Sequence, residues 1–193
     1  MATRTEIVNL ALARIGQAPV SSLDEESSVA AAASLVYDTC RRAVLQAYPW
    51  SFATRTSRLL RRNTIPVGYA YAFALPPDCL QPVRLQGGSR SGRDTGGQGL
   101  SFTVRGRDLL ADTPEAVLEY IADVEDAGQY DARFTEALVV RLAAELAMPV
   151  GGKSDLMTAY RNEYEAIVRQ ASAKSSGQFY EDLPENPYLE ARL

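Results

Sequence analysis

Residues 7–52 read IVNLALARIGQAPVSSLDEESSVAAAASLVYDTCRRAVLQAYPWSF. Ile7, Leu10, Ala11 and Ile15 fall on one face of a helix over residues 4–15, and Gly16 stops it. QAPVSSLDEE follows as a loop, after which Ser27 or Ser28 can cap a second helix running to about Ala47. Along that helix Val29, Ala33, Val36, Cys40, Ala43 and Ala47 recur in alternating steps of four and three, which draws one continuous apolar stripe. Alanine dominates the stripe, so a neighbouring helix can come close. Pro49 closes the helix, and Tyr48, Trp50 and Phe52 mark a sharp exit. A ring cluster after a helix is ordinarily a core plug.

Beyond this stretch the periodicity changes. TRTSRLL (54–60) and YAYAFAL (69–75) read as strands or extended segments, and Val83-Arg84-Leu85, LSFTV (100–104), LLAD (109–112) and VLEYIADV (117–124) as strands, with Arg105-Gly106-Arg107-Asp108 a hairpin turn. GGSRSGRDTGGQG (87–99) has six glycines in thirteen residues and no apolar side chain, so it predicts a mobile loop. A third helix over about 131–148 turns Phe134, Leu138, Leu142 and Leu146 inward. A fourth over about 154–173 is capped by Ser154 and carries Leu156, Tyr160, Tyr164, Ile167 and Ala171 at helical spacing. The expected class is α+β: two pairs of helices (1–53 and 129–176) bundled beside a small, mostly antiparallel sheet domain inserted at 54–128. Residues 177–193 form an extended C-terminal arm in this reading, with Phe179, Tyr180, Tyr188, Leu189 and Leu193 as apolar anchors for a partner.

At 193 residues and 46% hydrophobic composition, the chain can bury one core without a metal or disulfide. No apolar run approaches the ~18 residues of a membrane span, and the first residues lack a signal-peptide core, so the expected setting is a cytoplasm. The chain has no histidine, which removes Ser-His-Asp and Cys-His catalysis and imidazole metal sites. Cys40 and Cys79 form no ligand cluster, and Cys40 reads as a buried, inert thiol. AMPVGGKS (147–154) ends like a phosphate-binding loop, but Ala147 stands where glycine is needed and a helix precedes it where a strand should. The pairs Glu136/Glu145 and Glu163/Glu165 lack the spacing that would share a helical face. No catalytic constellation and no cofactor is expected.

Charge is unevenly spread. Residues 41–107 hold eleven arginines against two acids, a net +9, while residues 108–193 hold seven basic and seventeen acidic side chains, a net −10. Such a chain can pair head to tail with its own copies, bind an acidic partner or DNA, or neutralise itself internally. Arg55, Arg58, Arg61 and Arg62 are the candidate subunit-interface or channel arginines. They also support the alternative of an arginine-rich DNA-binding or regulatory helical module, whose duplex binding would fall steeply with salt.

The opening stretch resembles the N-terminal signature of the tail tubular protein A family, the head-to-tail adaptors of short-tailed bacteriophages. Asn9, Leu12, Ile15 and Gly16 match its first helix, residues 19–24 (PVSSLD) its loop, and Trp50 with Phe52 the end of its alanine-rich helix. YAFALPPDCLQPVRL (71–85) is similar to a second segment of that group. The resemblance implies a virion protein of the tail or neck, assembled in the host cytoplasm and carrying no enzymatic activity. It further implies a dodecameric ring docked under the portal, with tail or nozzle protein on its other face and genomic DNA passing through the channel without sequence recognition. Gly16, Trp50 and Phe52 are then fold-forming positions, with Gly16 permitting a left-handed helix exit and Trp50 anchoring sheet to helices. No membrane is involved.

Overall fold

The computed structural model describes residues 2–64, 66–87 and 99–178. Helices α1 (Arg4–Arg14) and α2 (Ser28–Ala47) come first, followed by seven strands: β1 (Thr54–Arg58), β2 (Leu60–Arg61), β3 (Tyr71–Ala74), β4 (Cys79–Gly87), β5 (Thr103–Arg105), β6 (Asp108–Ala111) and β7 (Ala116–Ala122). A single 3-10 turn (Ala127–Gln129) leads into α3 (Ala132–Leu146) and α4 (Ser154–Gln178). The class is α+β, as the sequence pattern predicts. Most of the 87–99 loop and the apolar anchors of the arm lie outside the described residues.

α1 starts with a capping box, in which the Thr3 hydroxyl accepts from the Glu6 N–H and the Glu6 carboxylate accepts from the Thr3 N–H. It ends in a Schellman motif. The Gln17 N–H donates to the Leu12 carbonyl, the Gly16 N–H to that of Ala13, and Gly16 sits at φ +73°. Ser27 caps α2 through Ala30, and Asp131 caps α3 through Phe134. Ser154, expected as a cap, is instead the first helical residue of α4; the Lys153 carbonyl accepts the Met157 N–H.

α3 is the centre of the bundle, with α1, α2 and α4 all packed on it. It buries Phe134, Ala137, Leu138, Val139, Val140, Leu142, Ala143, Ala144 and Leu146, far more than the expected one-sided stripe. Its charged side chains, Arg133, Glu136, Arg141 and Glu145, are exposed or half-buried, and most of the rest of its surface is core. The stripe of α2 is also rotated from its expected position. Ala33 and Cys40 are buried, but Ala47 is exposed, and Tyr37, Arg41, Val44 and Leu45 face inward instead.

The strands divide into two antiparallel sheets: sheet A in the order β1-β7-β4, and sheet B in the order β2-β3-β6-β5. The run expected as one strand at 54–60 is cut at Leu59, whose N–H donates to the Ala116 carbonyl at 2.9 Å while its side chain is buried. There the chain passes from one sheet to the other. β4 is longer than the expected Val83–Leu85, because Pro82 is tolerated on an edge strand with register shifts on either side of it. LSFTV narrows to β5, with Leu100 making only an isolated bridge to Leu85. Leu59, Phe73, Leu85, Leu109 and Leu118 join the helix residues in one apolar cluster, so helices and sheets share a core.

Candidate interaction surfaces

The signature residues of the N-terminal segment act on the backbone. Asn9 holds Val20 from both sides, its amide donating to the Val20 carbonyl at 2.9 Å and its oxygen accepting the Val20 N–H at 2.8 Å. Glu25 gathers the Ser21 and Ser22 N–H groups and the Ser27 hydroxyl, which fixes the 21–27 loop and draws the carboxyl below its ordinary range. Trp50 is buried and donates its indole N–H to the Val44 carbonyl at 2.8 Å, near the end of α2. Its ring meets Phe134 edge-on at 5.4 Å, and Phe52 meets the same phenylalanine at 5.0 Å.

The basic middle of the chain is largely neutralised inside the molecule. Arg55 pairs with Asp78 at 2.6 Å, Arg58 with Glu115 at 2.7 Å and Arg62 with Asp108 at 3.0 Å. Arg61 lies over the Tyr71 ring, 4.2 Å from its centroid. Arg84 takes Glu119 at 2.9 Å. Each of these arginines is exposed or half-exposed, and most of their carboxylate partners come from the acidic region that begins at residue 108. Of the three readings of the charge asymmetry, internal neutralisation is the one the geometry displays.

Arg41 is the site that the sequence pattern missed. It is 1% exposed and pairs with Asp123, donates to the Val124 carbonyl at 2.8 Å and reaches Asp38 at 3.3 Å. Arg42 closes on the other oxygen of Asp123 at 2.9 Å. Burial pulls the Arg41 guanidinium down, but the Asp123 hydrogen bond and charge outweigh it and hold the group firmly protonated. Beside it, burial pushes the Tyr37 and Tyr130 phenols upward. Its carboxylate partner lies 82 positions further along the sequence, too far to signal burial.

Among the described residues no group of three or more His, Cys, Asp or Glu side chains could hold a metal ion. No described helix is long and apolar enough to cross a membrane. Burial pushes the Cys40 thiol up to about 11, which makes it a poor nucleophile. The cleft between α3 and α4, lined by Arg133, Glu136, Ile167, Gln170 and Ala171, holds about 100 Å³. Ordinary small-molecule sites start at about 300 Å³.

No curated protein matches the chain. A family model described as tail tubular protein matches residues 5–106, from the first turn of α1 through the turn after β5. That span is more than half of the 193 residues and contains the Asn9 clamp, the Gly16 exit, the Trp50 plug and the arginines of β1 and β2. The chain therefore belongs to the tail tubular protein family, structural components of bacteriophage tails.

Proposed function

We propose that this protein is the ring-forming head-to-tail adaptor, a non-enzymatic connector that joins the portal to the tail or nozzle and surrounds the path of the DNA. The match over residues 5–106 carries this reading, since it coincides with the segment bearing the adaptor-like signature. A closed ring, for which a dodecamer is the expected size, needs two different surfaces on each subunit that complement one another. Bulk charge does not supply them, because residues 108–123 already neutralise much of the basic middle. The complementary surfaces must be local ones.

Mixing the folded protein with the portal ring encoded beside it, and imaging by negative stain, tests the proposal. Extra ring-shaped density on one end of the portal is the expected result. An intact portal that stays bare sinks the adaptor role. The DNA-binding alternative is weaker, because Arg55, Arg58 and Arg62 each already hold a carboxylate.

A further inference from the structure

One face of sheet B keeps basic charge that the internal pairs do not consume. By register, Leu60 on β2, Ala74 on β3, Asp108 on β6 and Arg105 on β5 stand side by side, one row crossing all four strands. Arg62 reaches Asp108 along that row, and Arg107 flanks it from the turn, its guanidinium donating to the Pro76 carbonyl. Among the described residues only Arg62 pairs with the Asp108 carboxylate, so Arg105, opposite Asp108 in the register, and Arg107, on a carbonyl, keep their charge uncompensated. Asp78, the acid two residues beyond Pro76, is held by Arg55 and by the Tyr120 hydroxyl. Among these charges Leu60 stands 79% exposed.

A phosphate backbone is met by cations and has no use for a bared leucine. A peptide bearing both carboxylates and apolar side chains uses both features. Residues 179–193, FYEDLPENPYLEARL, offer four acids against one arginine, together with Phe179, Tyr180, Tyr188 and Leu189. Fifteen residues can reach about 50 Å when extended. α4, from which this segment continues, packs on α3. Segment and sheet face are two different surfaces of one subunit, which is what a closing ring requires.

We infer that the Leu60–Ala74–Asp108–Arg105 row, with Arg62 and Arg107, receives the acidic segment 179–193 of a second copy of this chain. The inference rests on the ring reading above, which sets one copy beside the next. It is tested by placing a photo-cross-linking side chain at Tyr188 of the full chain and irradiating a concentrated mixture of light and nitrogen-15-labelled protein. The expected products join Tyr188 to residues 60–62 or 103–108 in mixed-isotope pairs. Arg105→Glu with Arg107→Glu should cut their yield about tenfold, and Glu181→Lys with Asp182→Lys should restore it. Both arginines are exposed, and circular dichroism of the variant verifies its fold.

Products elsewhere on the chain, same-isotope products alone, or none at all overturn the inference. So does a charge reversal that abolishes salt-dependent duplex binding and leaves the cross-link unchanged, which makes DNA the occupant. Cross-links between copies together with a bare portal would remove the adaptor role while leaving this docking in place.

Discussion

Arg41 and Asp123 are separated by 82 positions in sequence and meet as an ion pair whose guanidinium is 1% exposed. The pair ties the middle of α2 to the end of β7, where the chain leaves the sheets for α3. Removing Asp123 takes the main counter-charge from a buried guanidinium, whereas removing Arg41 leaves Asp123 with Arg42 and the Val124 carbonyl with the Tyr130 hydroxyl. Asp123→Leu should therefore cost about 3–5 kcal/mol, read as a fall in midpoint of about 6–20 °C for a domain of this size. Adding Arg41→Met should recover part of the loss. A single substitution that melts like the parent would show that the pair contributes nothing.

Alkaline pH should weaken the fold through Cys40. Its thiol rises from near 9 to about 11 because burial disfavours the thiolate. Below 9 both states hold the proton and the contribution is complete. Between 9 and 11 only the unfolded chain releases it, so stability falls as pH rises, by about 2–3 kcal/mol once pH 11 is passed. Urea unfolding at stepped pH measures the slope, and Cys40→Ala should make it shallower, the remainder coming from Cys79 and the buried phenols. In the native protein at pH 8 the thiol should resist iodoacetamide.

Gly16 is held at φ +73°, and a Cβ there would meet only the Lys153 ammonium at 3.5 Å, an ordinary contact. The penalty for a side chain is thus conformational rather than steric. Gly16→Ala should cost about 1–2 kcal/mol and Gly16→Asn less, since asparagine tolerates this region. Thermal melts of the two variants rank them. Equal melts would mean the Schellman turn relaxes without loss.

The strand arginines should matter little to the isolated fold. Arg58 and Glu115 are both more than half exposed, so Arg58→Ala should change stability by less than about 1 kcal/mol. Denaturant titration checks this, and a larger loss would point to packing by the arginine stem.

Ending the chain after Gly177 should leave the melting curve nearly unchanged, since among the described residues the buried core runs no further than Ala171. The same protein should fail to decorate the portal. Normal decoration would remove the arm from the assembly.

The sequence made the helices readable because their signals are local: helical spacing, Gly16, Pro49 and the Ser27 hydroxyl cap, though not the Thr3 and Asp131 caps. The Trp50 and Phe52 plug was readable for the same reason. The two-sheet division was not, because nothing around Leu59 marks a change of partner, and that change is decided by an N–H meeting Ala116. Arg41 falls in the same class. On a helical wheel it is a charge in the wrong place, and only Asp123 makes its burial tolerable. The pairs Arg58–Glu115, Arg62–Asp108 and Arg84–Glu119 also depend on strands brought together from distant parts of the chain. The summed charges of each region could not reveal that they cancel locally.

The passage of one unbroken run from β1 to β2 couples the sheets mechanically. A single residue, Leu59, stands between them, too short a tether to fold up or pay out. Tilting the turn after β5 must then drag β1 through peptide bonds as well as through side-chain contact. β1 is hydrogen-bonded to β7, and β7 runs into the Arg41–Asp123 bolt. Sheet B is thus tied, with almost no slack, to the point where Asp123 meets α2.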